Sequence, residues 1–197
     1  MVNVFPAVMT LHDLQVGIER PLNAPLNIRI HPGSLTVVVG DNGVGKTTLL
    51  RTLAGALAAV SGTIERPAEL VVHHLPQHAG ARLAGPFSVA DLLRLSGLEG
   101  LQDPWIPQVA SQRVDRLSGG QRQRLVVACA LHSSCDLLLL DEPDQYLDRD
   151  SRRQLFERLG KTARDKAVVV VSHQVDLPPA ADILRMVPAE TDGTTGR

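Results

Sequence analysis

A chain of 197 residues with 20 Lys and Arg against 21 Asp and Glu, net charge −1, is long enough for one domain with a substantial core and gives nucleic acid no electrostatic hold, so no nucleic-acid partner is expected. Two cysteines, Cys129 and Cys135, form neither a metal-ligand spacing nor a disulfide framework and fit a reducing compartment. No apolar run reaches the roughly 20 residues that span a bilayer, and Met1 to Thr10 lack a charged stretch ahead of an apolar one, so neither a membrane anchor nor a secretory signal is expected.

Along the chain, residues 8–39 alternate short strands with turn signals at Pro21, Pro25 and Pro32-Gly33. The β-branched run Leu35-Thr36-Val37-Val38-Val39 predicts a buried strand, and Thr48 to Ala54 have helical spacing that ends near Gly55. Ser61-Gly62-Thr63 turn the chain into a strand expected to run on towards Gln77. Residues 78–132 read as mostly helical, with an N-cap at Ser88, a stop at Gly97 and an interruption at Asp103-Pro104-Trp105-Ile106-Pro107. Leu137 to Leu140 predict a strand buried on both faces. A polar helix at about 150–164, a strand at Val168 to Val171 and a disordered tail over 191–197 complete the reading. There is no internal repeat, so residues 1–190 are expected to form one domain.

Three segments carry chemistry. Gly40-Asp41-Asn42-Gly43-Val44-Gly45-Lys46-Thr47, followed by Thr48, fits G-x-x-x-x-G-K-[ST] without a mismatch. Its glycines let backbone N–H groups point inward at phosphates, Lys46 reaches the β- and γ-phosphates, and Thr47 offers a hydroxyl to Mg²⁺. Strand before and helix after put a helix N-terminus beneath the anion, and Lys46 is one of only three lysines in the chain. In Asp136-Leu137-Leu138-Leu139-Leu140-Asp141-Glu142-Pro143, Asp141 ends the strand where it can support Mg²⁺. Glu142 is placed to polarise a water attacking the γ-phosphate, and Pro143 removes the next ladder donor. The third segment, Leu117-Ser118-Gly119-Gly120-Gln121-Arg122-Gln123-Arg124, reads as an N-cap at Ser118 whose helix N-terminus and glycine amides form an anion site.

Together these segments closely resemble the ATP-binding cassette family, the nucleotide-binding subunits of ABC systems, over Leu11 to Val187 with the motifs in the family's order. The resemblance implies an α/β fold: a P-loop NTPase core with a mostly parallel sheet, an N-terminal antiparallel β layer and an inserted helical subdomain at about 78–132. It implies ATP and Mg²⁺ as cofactors. Gln77 would be the glutamine that senses Mg²⁺ and the attacking water, and its loop would face a transmembrane partner. Ser118, Gly119 and Gly120, with Gln121 beside them, would bind the γ-phosphate held by an opposing subunit. Leu147-Asp148 would end the loop that crosses the dimer interface, and His173 would contact the γ-phosphate. The expected partners are a second cassette and a separate permease, with the chain on the cytoplasmic face of a membrane. A soluble cassette driving iron–sulfur assembly or ribosome-linked work, or a weakly hydrolysing regulatory subunit, are the alternatives.

The chain also departs from that family. Ile18 stands near where many members stack an aromatic ring on adenine, and Tyr146 stands where a small residue is common. Cys129 and Cys135 replace frequent arginine and proline. His73, His74 and His78 are close in sequence, but neighbouring strand residues face opposite ways, which disfavours a shared metal. Trp105 is read as packing or as a partner anchor, and the charges of 149–164 as a solvated helix face.

Overall fold

The computed structural model describes residues 6–83, 85–106, 111–172 and 181–190. Strands β1 (Met9–Gln15), β2 (Leu26–Ile30) and β4 (Ser61–Glu65) form an antiparallel sheet in the order β2-β1-β4. Strands β3 (Leu35–Val39), β5 (Val72–Leu75), β6 (Leu137–Asp141), β7 (Ala167–Val171) and β8 (Asp182–Arg185) form a parallel sheet in the order β5-β6-β7-β3-β8. Helix α1 (Lys46–Leu53) follows β3, and α2 (Ala79–Arg82), α3 (Val89–Leu95) and α4 (Gly119–Leu131) lie between β5 and β6. Helix α5 (Arg149–Thr162) joins β6 to β7.

The unbroken leucine and valine runs follow from burial on both faces of the parallel sheet. Leu138, Leu140, Val168 and Val170 share a core with Leu125 and Val127 of α4 and Leu155 and Leu159 of α5. Leu137, Leu139, Val169 and Val171 share the other core with Leu49, Leu50 and Leu53 of α1 and with Met9 and Leu11 of β1. The antiparallel layer and α1 thus cover one side of the central sheet, and α4 and α5 cover the other. His73 pairs with Leu138 and His74 with Leu139, so the two imidazoles sit at alternating register positions.

Three expectations need correction. The segment from Ser61 to Gln77 is not one strand. Pro67 accepts a turn hydrogen bond from Leu70, which separates β4 in one sheet from β5 in the other. Among the described residues of 78–132, helix comes only in pieces: four residues in α2, seven in α3 and thirteen in α4, plus a single 3₁₀ turn at Val114–Arg116. Within that region Ser88 does cap α3, reciprocally with Asp91, and Gly97 follows the helix at φ 68°. Nor is the α5 face wholly solvated. Arg158 grips Asp103 with two guanidinium nitrogens, one at 2.9 Å, and lies 4.8 Å over the Trp105 ring.

Asp103 is the centre of that cluster. It is 7% exposed, accepts the Trp105 amide at 2.8 Å and lies 2.8 Å from His132 Nε2. Trp105 itself is buried, and its indole donates to Gln154 at 3.0 Å, so its role here is packing. Burial pushes the Asp103 carboxyl up, but Arg158, the Trp105 amide and His132 outweigh it and hold the group down at about 2. Because the folded value lies below the unfolded one, the stabilisation is present above about pH 4 and is lost as pH falls towards 2. Asp103→Ala leaves Arg158 without its partner and is expected to cost about 3 kcal/mol, lowering the melting temperature by roughly 8 °C at neutral pH. The difference from the parent should shrink in acid, and thermal unfolding at a series of pH values measures it.

Candidate active site

The loop after β3 is held from two sides. Gly40 has φ 155°, and a Cβ there would lie 2.7 Å from the Met186 carbonyl oxygen just beyond β8. Gly45 takes the left-handed conformation, φ 95°, at the N-cap of α1, with Val16 and Leu22 packed against it. Those two residues belong to a turn fixed by Asn23. Its side chain is fully buried, accepts the Val16 amide at 2.8 Å and donates to the Leu14 and Ala24 carbonyls. Ile18 is 89% exposed in the same turn.

Asp41, Asn42 and Gly43 are exposed, whereas Val44, Gly45 and Lys46 are buried, so the loop presents its first half outward. Lys46 Nζ donates to the carbonyls of Gly40 at 2.7 Å and Asp41 at 3.0 Å, which holds the ammonium inside the loop. Thr47 Oγ1 donates to Asp141 Oδ1 at 3.2 Å, joining the start of α1 to the end of β6 across 94 residues of sequence. Asp141 Oδ2 is buried and has no hydrogen-bond partner among the described residues. Burial is the main reason the Asp141 carboxyl is shifted up; the Thr47 bond opposes this and the neighbouring Glu142 adds to it. A buried carboxylate oxygen without a donor, beside a hydroxyl, is the kind of hard-oxygen pair that suits Mg²⁺.

Glu142 begins a turn in the left-handed conformation, φ 48°, with its amide bonded to the Val171 carbonyl. Gln77, two residues beyond β5, donates from Nε2 to Glu142 Oε2 at 2.8 Å, and Gln145 donates to the same oxygen. The next residue, Pro143, offers its carbonyl to Gln123 Nε2 at 2.9 Å. Gln123 is 2% exposed on the stripe of α4 that also carries Val126, Val127 and Ala130. Sequence reasoning passed over it, although a polar residue on an apolar helical stripe must find a hydrogen-bond partner. Gly80 of α2 comes so close to α4 that a Cβ would lie 2.7 Å from Gln123 Oε1. Gln123 therefore touches both the segment after Gln77 and the segment after Glu142.

Ser118 caps α4. Its hydroxyl accepts the Gln121 amide at 3.2 Å, and Gln121 Oε1 accepts the Ser118 amide at 2.8 Å. Ser118 and Gly119 are exposed, and among the described residues no hydrogen bond joins Ser118, Gly119, Gly120 or Gln121 to the loop Gly40–Thr47. The structure thus gathers Lys46, Thr47, Gln77, Asp141 and Glu142 and leaves the N-terminus of α4 facing solvent. Leu147 is buried, and Asp148 caps α5 by accepting the Ser151 amide at 2.7 Å. His173 lies outside the described residues; Ser172 before it donates to Asp144 at 3.1 Å.

The ABC transporter family model matches residues 24–145, a span that includes all three motif segments. The zinc import ATP-binding protein ZnuC 2 of Aliivibrio fischeri is 36% identical over 178 residues, covering 85% of this chain and 73% of that protein. ZnuC of Marinobacter nauticus is 33% identical over 172 residues, which are 83% of this chain but only 66% of the relative's length. An ABC transporter ATP-binding protein from Pyrococcus furiosus shares the fold at a TM-score of 0.77 with 23% identity, over 90% of this chain and 96% of that one. An inward-facing metal-chelate-type ABC transporter chain superposes at a TM-score of 0.72 with 25% identity, over 93% and 83%. No helix of the described residues is long and apolar enough to cross a membrane. The chain belongs to the ATP-binding cassette family, as a nucleotide-binding ATPase of the ABC transporter type.

Proposed function

We propose that the chain powers a membrane transporter by hydrolysing ATP between two cassettes that close head to tail, each ATP being held by one subunit's phosphate loop and the other's Ser118, Gly119 and Gly120. The observation that carries this reading is the separation just described. Lys46, Thr47, Gln77, Asp141 and Glu142 meet in one place, while the capped, exposed N-terminus of α4 offers its amides outward.

In this scheme the amides of Asp41 to Thr48 cradle the phosphates, and Lys46 exchanges its two loop carbonyls for β- and γ-phosphate oxygens. Thr47 and Asp141, with Gln77 at the edge, would hold Mg²⁺, which neutralises charge on the phosphate oxygens when bound. Glu142 takes a hydrogen bond from the attacking water and orients it in line, Gln77 reports whether water and metal are in place, and His173 faces the γ-phosphate. Ser118, Gly119, Gly120 and Gln121 of the partner subunit close the site. Closure works on a separate permease through the surface near Gln77, which places the chain on the cytoplasmic face of a membrane. The zinc in the relatives' names belongs to those proteins. A cassette that never touches the cargo carries no cargo signature, and the proposal extends to transport and no further.

Mixing two inactive variants tests the shared site. Lys46→Ala and Ser118→Arg should each lack turnover alone. An equimolar mixture should regain it, because one mixed site combines an intact loop from one chain with an intact Ser118 from the other. A mixture as inactive as its components would exclude sites built from two chains.

A further inference from the structure

We infer that Gln145 and Tyr146 form a latch that restrains Glu142, in addition to the restraint from Gln77; this rests on the reading of Glu142 as the group that activates water. Among the described residues, four that are not glycine have positive φ, and three of them, His78 at 61°, Glu142 at 48° and Tyr146 at 64°, meet here. Strained backbone of this kind persists where the surroundings over-determine it.

Two dipeptides straddle Glu142. Gln77 and Gln145 both donate to Glu142 Oε2. The residues that follow them, His78 and Tyr146, touch each other: the phenol oxygen lies 3.2 Å from His78 Nδ1 and the ring centroids are 6.1 Å apart. A carboxylate oxygen has two lone-pair positions, and two amides fill both on Oε2. That oxygen cannot accept a hydrogen bond from an attacking water until one amide leaves.

The latch is anchored on both sides. Gln145 sits on a short turn whose amide returns to the Glu142 carbonyl at 3.2 Å, and beyond it the buried Leu147 and the cap at Asp148 anchor the chain to α5. Between these anchors the Tyr146 carbonyl oxygen lies 3.2 Å from where a Cβ on Gly120 would stand. Glu142 is thus held on one side by Gln77 and on the other by the Gln145–Tyr146 turn.

The experiment is steady-state ATP turnover of purified Gln145→Ala, Gln145→Met, Tyr146→Ala and Tyr146→Phe. Gln145→Met keeps the side chain's length and removes only its donor. Release of one charge-assisted hydrogen bond should raise basal kcat about ten-fold in both Gln145 variants, with KM within about two-fold. Tyr146→Ala should give a similar rise and Tyr146→Phe a smaller one. Adding Glu142→Gln should abolish every gain, as it must if the gained turnover runs through Glu142. Folded Gln145 variants with unchanged or lower kcat would overturn the latch while leaving the parent's activity as proof of the hydrolytic reading. A parent that shows no Glu142-dependent turnover would overturn both.

Discussion

Glu142→Gln is expected to lower ATP turnover about 10³-fold, the scale of a lost general base, while ATP affinity changes by no more than about two-fold. The substitution keeps the side chain's length and leaves a carbonyl oxygen for Gln77, so the turn begun at φ 48° and the amide bond to Val171 have no reason to move. Thr47, Asp141 and the phosphate loop are untouched, so binding should survive. Phosphate release at saturating Mg-ATP measures the first quantity and titration with a fluorescent ATP analogue the second. An equal fall in both would mean that the side chain holds the fold or the nucleotide and does not act on water.

Ser118→Arg should abolish turnover by about 10²-fold or more, the cost of removing a donor aimed at the transferring phosphate. The variant's own ATP binding should be unchanged. Ser118 is exposed, and its hydroxyl caps α4 only through the Gln121 amide, so lost capping costs about 1 kcal/mol and the fold remains. Among the described residues no hydrogen bond joins the residue to its own phosphate loop, so the substitution has no direct route to that loop's hold on ATP. The bulk of arginine would instead occupy the space a partner's γ-phosphate needs. Loss of ATP binding in the isolated variant would place Ser118 inside its own nucleotide site and contradict the head-to-tail arrangement.

What the sequence made legible is what local chemistry determines. The loop Gly40 to Thr47 is a contiguous motif, four leucines in a row demand burial on both faces, and Ser88 and Ser118 have their cap partners three residues on. Contacts between distant segments were harder to read. Asp103 and Arg158 are 55 residues apart and become a part-buried pair only when α5 packs on the segment before α4. Strand β8, Asp182–Arg185, was missed because it is four residues long at a sheet edge and lacks the valine run of its neighbours. The break at Pro67 was written in the sequence, yet only the existence of two sheets gives it meaning.

The departure at Tyr146 follows the same pattern. As sequence, Tyr146 is a bulky residue where the family is small; in the fold its ring lies against His78 from the glutamine loop, 68 residues away. Gln123 was within reach of sequence reasoning, as the one polar member of the stripe shared with Val126, Val127 and Ala130. Ile18, where the family resemblance led one to expect an aromatic, is 89% exposed.

The central claim, a site made by two chains, is tested most directly by the mass of Glu142→Gln in solution with ATP and Mg²⁺, measured by light scattering. Slowed hydrolysis should trap a dimer that requires nucleotide, and adding Ser118→Arg should return it to a monomer that still binds ATP. A Glu142→Gln protein that binds ATP and remains monomeric, or a dimer indifferent to Ser118→Arg, would contradict it.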